Sequence, residues 1–229
     1  MRRLPFVFAI LAGIGLGGSA LAHGNNHGAE PAPQGPASAY AFALPQPGSY
    51  HLPPIRVAAG GPVLTEEGGD ADLATLLRGR ITVFSFIYTR CADICPVATA
   101  QLAQLRELVR HYPELNRRVR LVSMSFDPGH DTPSVMADYG ALWRKPGDGG
   151  SQWLFVTAPG HAALRPILAA YDQAVAPDPD PQDPAGGLSH ILRVFLIDEA
   201  GLVRNIYSMD FLDPDLVLTD IRTLAAEAD

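Results

Sequence analysis

Cys91 and Cys95 are the only cysteines among 229 residues, and three residues separate them. A bridge between them would close so small a loop that it would add little to the stability of a domain this size. The pair therefore points to chemistry rather than to scaffolding. Two thiolates at this spacing can exchange with a disulfide or hold a soft metal ion. If the helix that follows reached back to Cys91, positions i and i+4 would share one face. Their Cα atoms would then lie roughly 6 Å apart, within disulfide range. The positive end of that helix would favour the thiolate. Two sulfurs joined by one imidazole suit copper, Cu(I) best of all. Zinc would lack the fourth ligand of a structural site.

The imidazole must come from elsewhere in the chain. The histidines are His23, His27, His51, His111, His130, His161 and His190. His190 follows a Gly-Gly-Leu-Ser run and directly precedes a strongly apolar stretch, which places it at a strand entrance facing the cysteine turn. It is the expected third ligand. His111 and His161 read as helix-end residues. His130, in Asp127-Pro-Gly-His-Asp131-Thr-Pro133, reads as part of a turn and helix cap, and Asp178, Asp180 and Asp183 as a solvated loop.

The elements around these residues follow from periodicity. Ile81 to Tyr88 is mostly β-branched and aromatic, as a strand buried on both faces should be. The cysteines lie at its C-terminal end, where α/β sheets place their chemistry. Pro96 opens a helix to about His111, with Leu102, Leu105, Leu108 and Val109 on its apolar face. Strands follow at Val119–Phe126 and Trp153–Val156, and helices at Pro133–Trp143 and Gly160–Tyr171. Ala176 to Gly187 reads as a long polar loop. Ile191–Ile197 and Leu202–Tyr207 read as a hairpin, and a last helix runs from Asp213 to Ala226. Tyr50 to Leu64 is expected to form a short hairpin or edge strand, and Asp72 to Leu77 one helical turn. The expected class is α/β: a thioredoxin-like mixed sheet flanked by helices on both faces. No internal repeat is visible.

The ends bound the rest. Arg2 and Arg3, the apolar run Leu4 to Leu16 and Ala20-Leu21-Ala22 read as a cleavable signal peptide over residues 1–22, with an uncleaved membrane anchor as the competing reading. Residues 23–49 are rich in Gly, Pro, Ala and Ser and read as a flexible linker, and residues 50–229 as the folded domain. Export to the periplasm or another extracytoplasmic space follows, with membrane association depending on whether the leader is cleaved. The net charge of −7 falls further without Arg2 and Arg3, which leaves no electrostatic footprint for nucleic acid.

Thr89-Arg-Cys91-Ala-Asp-Ile-Cys95-Pro96, Ser125-Phe-Asp127-Pro-Gly-His-Asp131-Thr-Pro133 and Ser189-His190 before a strand together resemble the Sco/SenC family, from about Tyr50 to Ala226. The resemblance implies a thioredoxin-like domain binding copper, as Cu(I) or Cu(II), through Cys91, Cys95 and His190. It implies an exported or anchored assembly factor for the CuA centre of cytochrome c oxidase. Its partners would be oxidase subunit II or another copper-site apoprotein, and a copper donor protein. The Asp127–Pro133 segment is shared with the family and is expected to be structural.

Two rivals use the same residues. A thiol–disulfide oxidoreductase would use Cys91 and Cys95 as a redox-active pair to reduce the cysteines of a copper-site apoprotein. Ordinary thioredoxins, however, have two residues between the cysteines and a proline before the facing strand. Here there are three, and no proline lies between Pro184 and Pro214, so His190 stands near the place of that proline. A thiol peroxidase would need Thr or Ser three residues before its cysteine and a proline upstream. Thr89 is two before Cys91, and no proline lies between Ile81 and Arg90.

Overall fold

Two apolar cores, one on each face of an eight-stranded sheet, organise the chain. The computed structural model describes residues 43–91, 94–177 and 187–227. In chain order the elements are β1 (Arg56–Val57), β2 (Pro62–Thr65), β3 (Asp70–Asp72), α1 (Leu73–Leu76) and β4 (Ile81–Ile87). Next come α2 (Ile94–Arg110), α3 (Pro113–Arg118), β5 (Val119–Ser125), α4 (Pro133–Trp143), β6 (Gln152–Thr157) and α5 (His161–Ala170). The last are β7 (Val175–Pro177), β8 (Leu188–His190), β9 (Val194–Ile197), β10 (Leu202–Tyr207), a 3-10 turn (Met209–Phe211) and α6 (Pro214–Glu227). The expected signal peptide and most of the expected linker lie outside the described residues. Among the described residues no helix is long and apolar enough to cross a membrane.

The sheet order is β1-β10-β9-β4-β5-β6-β2-β3, with β4, β5 and β6 parallel and β9 antiparallel to β4. Every residue of β4 is buried, because helices cover both of its faces. Strand alternation sends Ile81, Val83 and Ile87 into the core under α2 and α6, and Phe84 and Phe86 into the core under α1 and α5. Ser85 would be a liability there. Its hydroxyl meets Ser123 Oγ at 3.0 Å, and Ser123 Oγ in turn accepts from Trp153 Nε1 at 3.1 Å. The architecture is the mixed α/β sheet with helices on both faces that the sequence predicts.

Helix boundaries follow their caps. Thr132 accepts from Val135 N–H ahead of Pro133, and Asp213 Oδ1 accepts from the amides of Asp215 and Leu216 at 3.0 Å each. The β9–β10 turn closes on Gly201, whose φ of 83° suits glycine, while Asp198 Oδ1 accepts from Leu202 N–H.

Four features depart from the sequence reading. The segment Tyr50–Leu64 supplies the expected edge strand, β1 against β10, but forms no hairpin, since β2 pairs with β3 and β6 at the other end of the sheet. Helix α2 starts at Ile94, so Pro96 lies inside its first turn and Cys91 lies outside the helix. A short helix, α3, fills the connection to β5. The ends of the expected 176–187 loop pair as the β7–β8 ribbon, so His190 closes β8, and Ile191 to Arg193 separate it from β9. Ahead of β1 the chain is already tied to α6: Gly48 N–H donates to Thr223 Oγ1 at 3.0 Å and Leu52 N–H to Glu227 Oε1 at 3.2 Å.

Candidate metal centre

Strand β4 delivers the cysteines. Past Ile87 the chain turns, with Cys91 N–H donating to Tyr88 O at 3.2 Å. Cys95 sits in the first turn of α2, and its N–H donates to Cys91 Sγ at 3.4 Å. The two are thus brought together by a turn ending on a helix N-terminus, and not by sharing a helical face. Neither is in a disulfide; Cys95 is fully enclosed and Cys91 keeps a sliver of exposure.

His190 comes from the ribbon. Its register partner is Val175, and its Nε2 lies 3.6 Å from Cys95 Sγ. The ring rests against Phe126, centroids 4.6 Å apart, and is edge-on to Tyr88 at 6.2 Å. Nδ1 is buried without a well-directed hydrogen-bond partner. Burial lowers the His190 pKa, opposed by a weaker contact with the Ile191 backbone, so the ring is held neutral with a lone pair available. Two other described histidines are engaged elsewhere. His51 pairs with Glu227 and His130 with Asp131. His23 and His27 lie outside the described residues.

The expectation of a readily formed thiolate is overturned at Cys95. The neighbouring Cys91 thiol, and then burial, push the Cys95 pKa well up. The helix end does not outweigh these two effects, so Cys95 keeps its proton in the absence of a cation. A metal would supply the missing positive charge, and binding would release thiol protons.

The residues fit a soft ion. A separation of roughly 3.6 Å is what two donors show when each lies about 2.0–2.3 Å from one ion at a tetrahedral or wider angle. Cys95 Sγ and His190 Nε2 stand at that separation, with Cys91 Sγ beside Cys95. Two sulfurs and a neutral imidazole form a set that hard cations do not favour.

Sequence reasoning gave the Asp127–Pro133 segment a structural role without naming its contacts. Asp131, fully buried, accepts from Thr89 N–H at 3.0 Å, Thr89 Oγ1 at 2.5 Å and Ser125 Oγ at 2.5 Å. Asp127 accepts from Arg90 at 2.6 Å. Together they fasten the Thr89–Cys91 turn to the end of β5. Asp127, His130 and Asp131 lie close enough to hold a cation, but Thr89, Ser125 and Arg90 already occupy their carboxylates. Tyr88 was missed altogether as a site residue. The proximity of Thr89 and Arg90 to the cysteines was the available signal for the carboxylate partners, though not for which carboxylates they would meet.

The chain and its fold have relatives. The SCO1 protein homolog of Bacillus subtilis (strain 168) is 24% identical over 159 residues, covering 69% of this chain and 77% of that protein. The crystal structure of Arabidopsis thaliana ScoI with copper bound superposes with a TM-score of 0.64 at 18% identity, covering 75% of this chain and 99% of that one. BsSco, described as a member of the Sco family of cytochrome c oxidase assembly proteins with a disulfide switch, superposes with a TM-score of 0.59 at 22% identity. It covers 79% of this chain and 98% of that one. The SCO1/SenC family model matches residues 62–226, a span holding Cys91, Cys95 and His190 and most of the chain, and the chain belongs to that family.

Proposed function

We propose that this protein is an exported copper chaperone that carries one copper ion on Cys91, Cys95 and His190. It would serve assembly of the CuA centre of cytochrome c oxidase, with subunit II or another copper-site apoprotein as recipient. The observation that carries the reading is the 3.6 Å approach of His190 Nε2 to Cys95 Sγ, with Cys91 alongside. Copper-bound relatives of the same fold and the oxidase-assembly role given for BsSco support it.

The chain's residues divide the work. The two thiols give up protons on taking the ion, and His190, already neutral, adds its lone pair without a proton cost. Phe126 and Tyr88 keep water from the ring. Cys91 is the more exposed thiol and the natural point of contact for an incoming ligand from a donor or recipient.

A second reading has its own support in the contact between the Cys95 amide and Cys91 Sγ. As a reductase, the Cys91 thiolate would attack a disulfide in the recipient and release one of its thiolates. Cys95 would then displace the second, closing a Cys91–Cys95 disulfide. Two electrons and two protons pass to the recipient.

Anaerobic Cu(I) titration of the reduced full chain, read by X-ray absorption, separates the two. One copper per chain with two sulfurs and one nitrogen is expected, falling to two sulfurs in His190→Ala. Unchanged coordination in His190→Ala would sink the three-ligand site and leave the reductase as the better account.

A further inference from the structure

The ribbon that carries His190 stands apart from the main sheet, although Val175 and Leu188 pack against one of its cores. Strands β7 and β8 pair only with each other, in a sheet of their own. Within the ladders of the described residues, no backbone bond joins them to the eight-stranded sheet that carries the cysteines. A ligand on so small a ribbon needs another anchor if its ring is to stay within reach of Cys95.

We infer that Tyr88 is that anchor: a positioning residue whose hydroxyl fastens the ribbon to the end of β4 and holds His190 over the thiols. The inference rests on the reading of His190 as a copper ligand. Tyr88 follows directly on β4, three residues before Cys91, and its side chain is buried. Its hydroxyl donates to the carbonyl of Leu188 at 3.1 Å, two residues before His190 on β8. The same hydroxyl lies beside the Cys91 thiol, so it stands between the strand that brings the imidazole and the turn that brings the sulfurs. The ring packs on Phe126 at 4.9 Å and edge-on to His190 at 6.2 Å. These ring contacts need no hydroxyl, and phenylalanine would keep them. What phenylalanine would lose is the bond to Leu188, leaving that carbonyl without its donor and the ribbon without its tie.

Tyr88→Phe in the full chain isolates the hydroxyl, and Tyr171→Phe is the matched control. Tyr171 is equally buried, and its hydroxyl donates to the carbonyl of Ala59 at 2.9 Å rather than to a ribbon carbonyl. Two measurements are needed. In copper-free protein, amide exchange at residues 188–190 should quicken roughly three- to tenfold in Tyr88→Phe, the range one lost hydrogen bond gives, and not in Tyr171→Phe. In Cu(II)-loaded protein, the sulfur-to-copper absorption and the electron paramagnetic spectrum should shift toward those of His190→Ala, with copper loss faster by a similar factor. Unchanged exchange at 188–190 would overturn the inference. So would quickened exchange with spectra and copper loss identical to wild type, since Tyr88 would then only stabilise. If His190→Ala itself kept the wild-type spectrum, the ligand set would be wrong and Tyr88 would have no ligand to position.

Discussion

A buried carboxylate with four donors around it shows how single residues shape this site. Asp131 takes hydrogen bonds from Thr89 N–H, Thr89 Oγ1 and Ser125 Oγ, and contacts His130 Nδ1 at 2.9 Å. None of these partners is a copper ligand, yet Thr89 is two residues from Cys91, and the turn cannot be placed without it. Asp131→Ala would strand buried donors at about 1–3 kcal/mol each. Partial rescue by water or relaxation brings the expected loss to roughly 2–4 kcal/mol. Asp131→Asn keeps the shape and one acceptor oxygen and should lose less. Urea unfolding of the two variants checks the order; equal and negligible losses would show that the network is not structural. The proposed ligands stand out as candidates because chemistry restricts them: two lone cysteines and one histidine before an apolar strand are rare. Tyr88 and the partners of Asp131 do not. Their pairings span 100 and 42 residues and follow from how β4, β5 and β8 converge, which no local pattern encodes.

The same contrast holds for elements. Strand β4 and helices α2, α4 and α6 announce themselves by apolar period, proline and caps, and they lie where the sequence puts them to within a few residues. The short pieces β1, β2 and β3 are too brief for periodicity to assign a partner, and they end up on opposite edges of the sheet. Helix α3 is similarly short, and the β7–β8 ribbon is set by pairing across a loop. The end of the stretch read as linker, up to residue 49, already straps onto α6 through Gly48, and the strap continues in the residues after it. Tyr50 OH donates to Asp220 Oδ1, while Tyr207 OH and Asn205 Nδ2 reach Asp220 Oδ2 at 2.6 and 2.8 Å. Burial, then the bond to Asp220, pushes the Tyr50 pKa from the ordinary 10.0 up to about 12. Folding therefore favours its neutral form. The stabilisation is complete below pH 10 and is lost as pH rises through about 12. Tyr50→Phe should cost about 1 kcal/mol at neutral pH. It should also flatten part of the alkaline decline, with Tyr207 keeping the remainder. Urea unfolding at pH 8 and pH 11 tests this; a wild type and variant that decline in parallel would mean that Tyr50 is not part of the strap's hold.

For the whole molecule, stability and chemistry overlap only at the cysteines. The central strands and their two cores hold the fold, and the proposed ligands sit beyond the end of β4, in a turn, in the first turn of α2 and on a ribbon outside the main sheet, with Cys91 and Cys95 packed into one of those cores. Ligand loss should therefore leave the copper-free fold nearly intact, whereas copper binding should tie the turn and the ribbon to one another. Anything that binds only the folded state stabilises it, by about 2.7 kcal/mol at a free concentration one hundred times its dissociation constant. For a domain of this length, each kcal/mol raises the melting temperature by about 2–4 °C. Saturating Cu(I) should thus raise the melting temperature of the reduced chain by roughly 5–10 °C. His190→Ala should melt within about 2 °C of wild type without copper and show a clearly smaller rise with it. Cys91→Ser combined with Cys95→Ser should show none. Differential scanning calorimetry under anaerobic conditions reads all three. An undiminished rise in the double serine variant would place the copper elsewhere than on the two sulfurs.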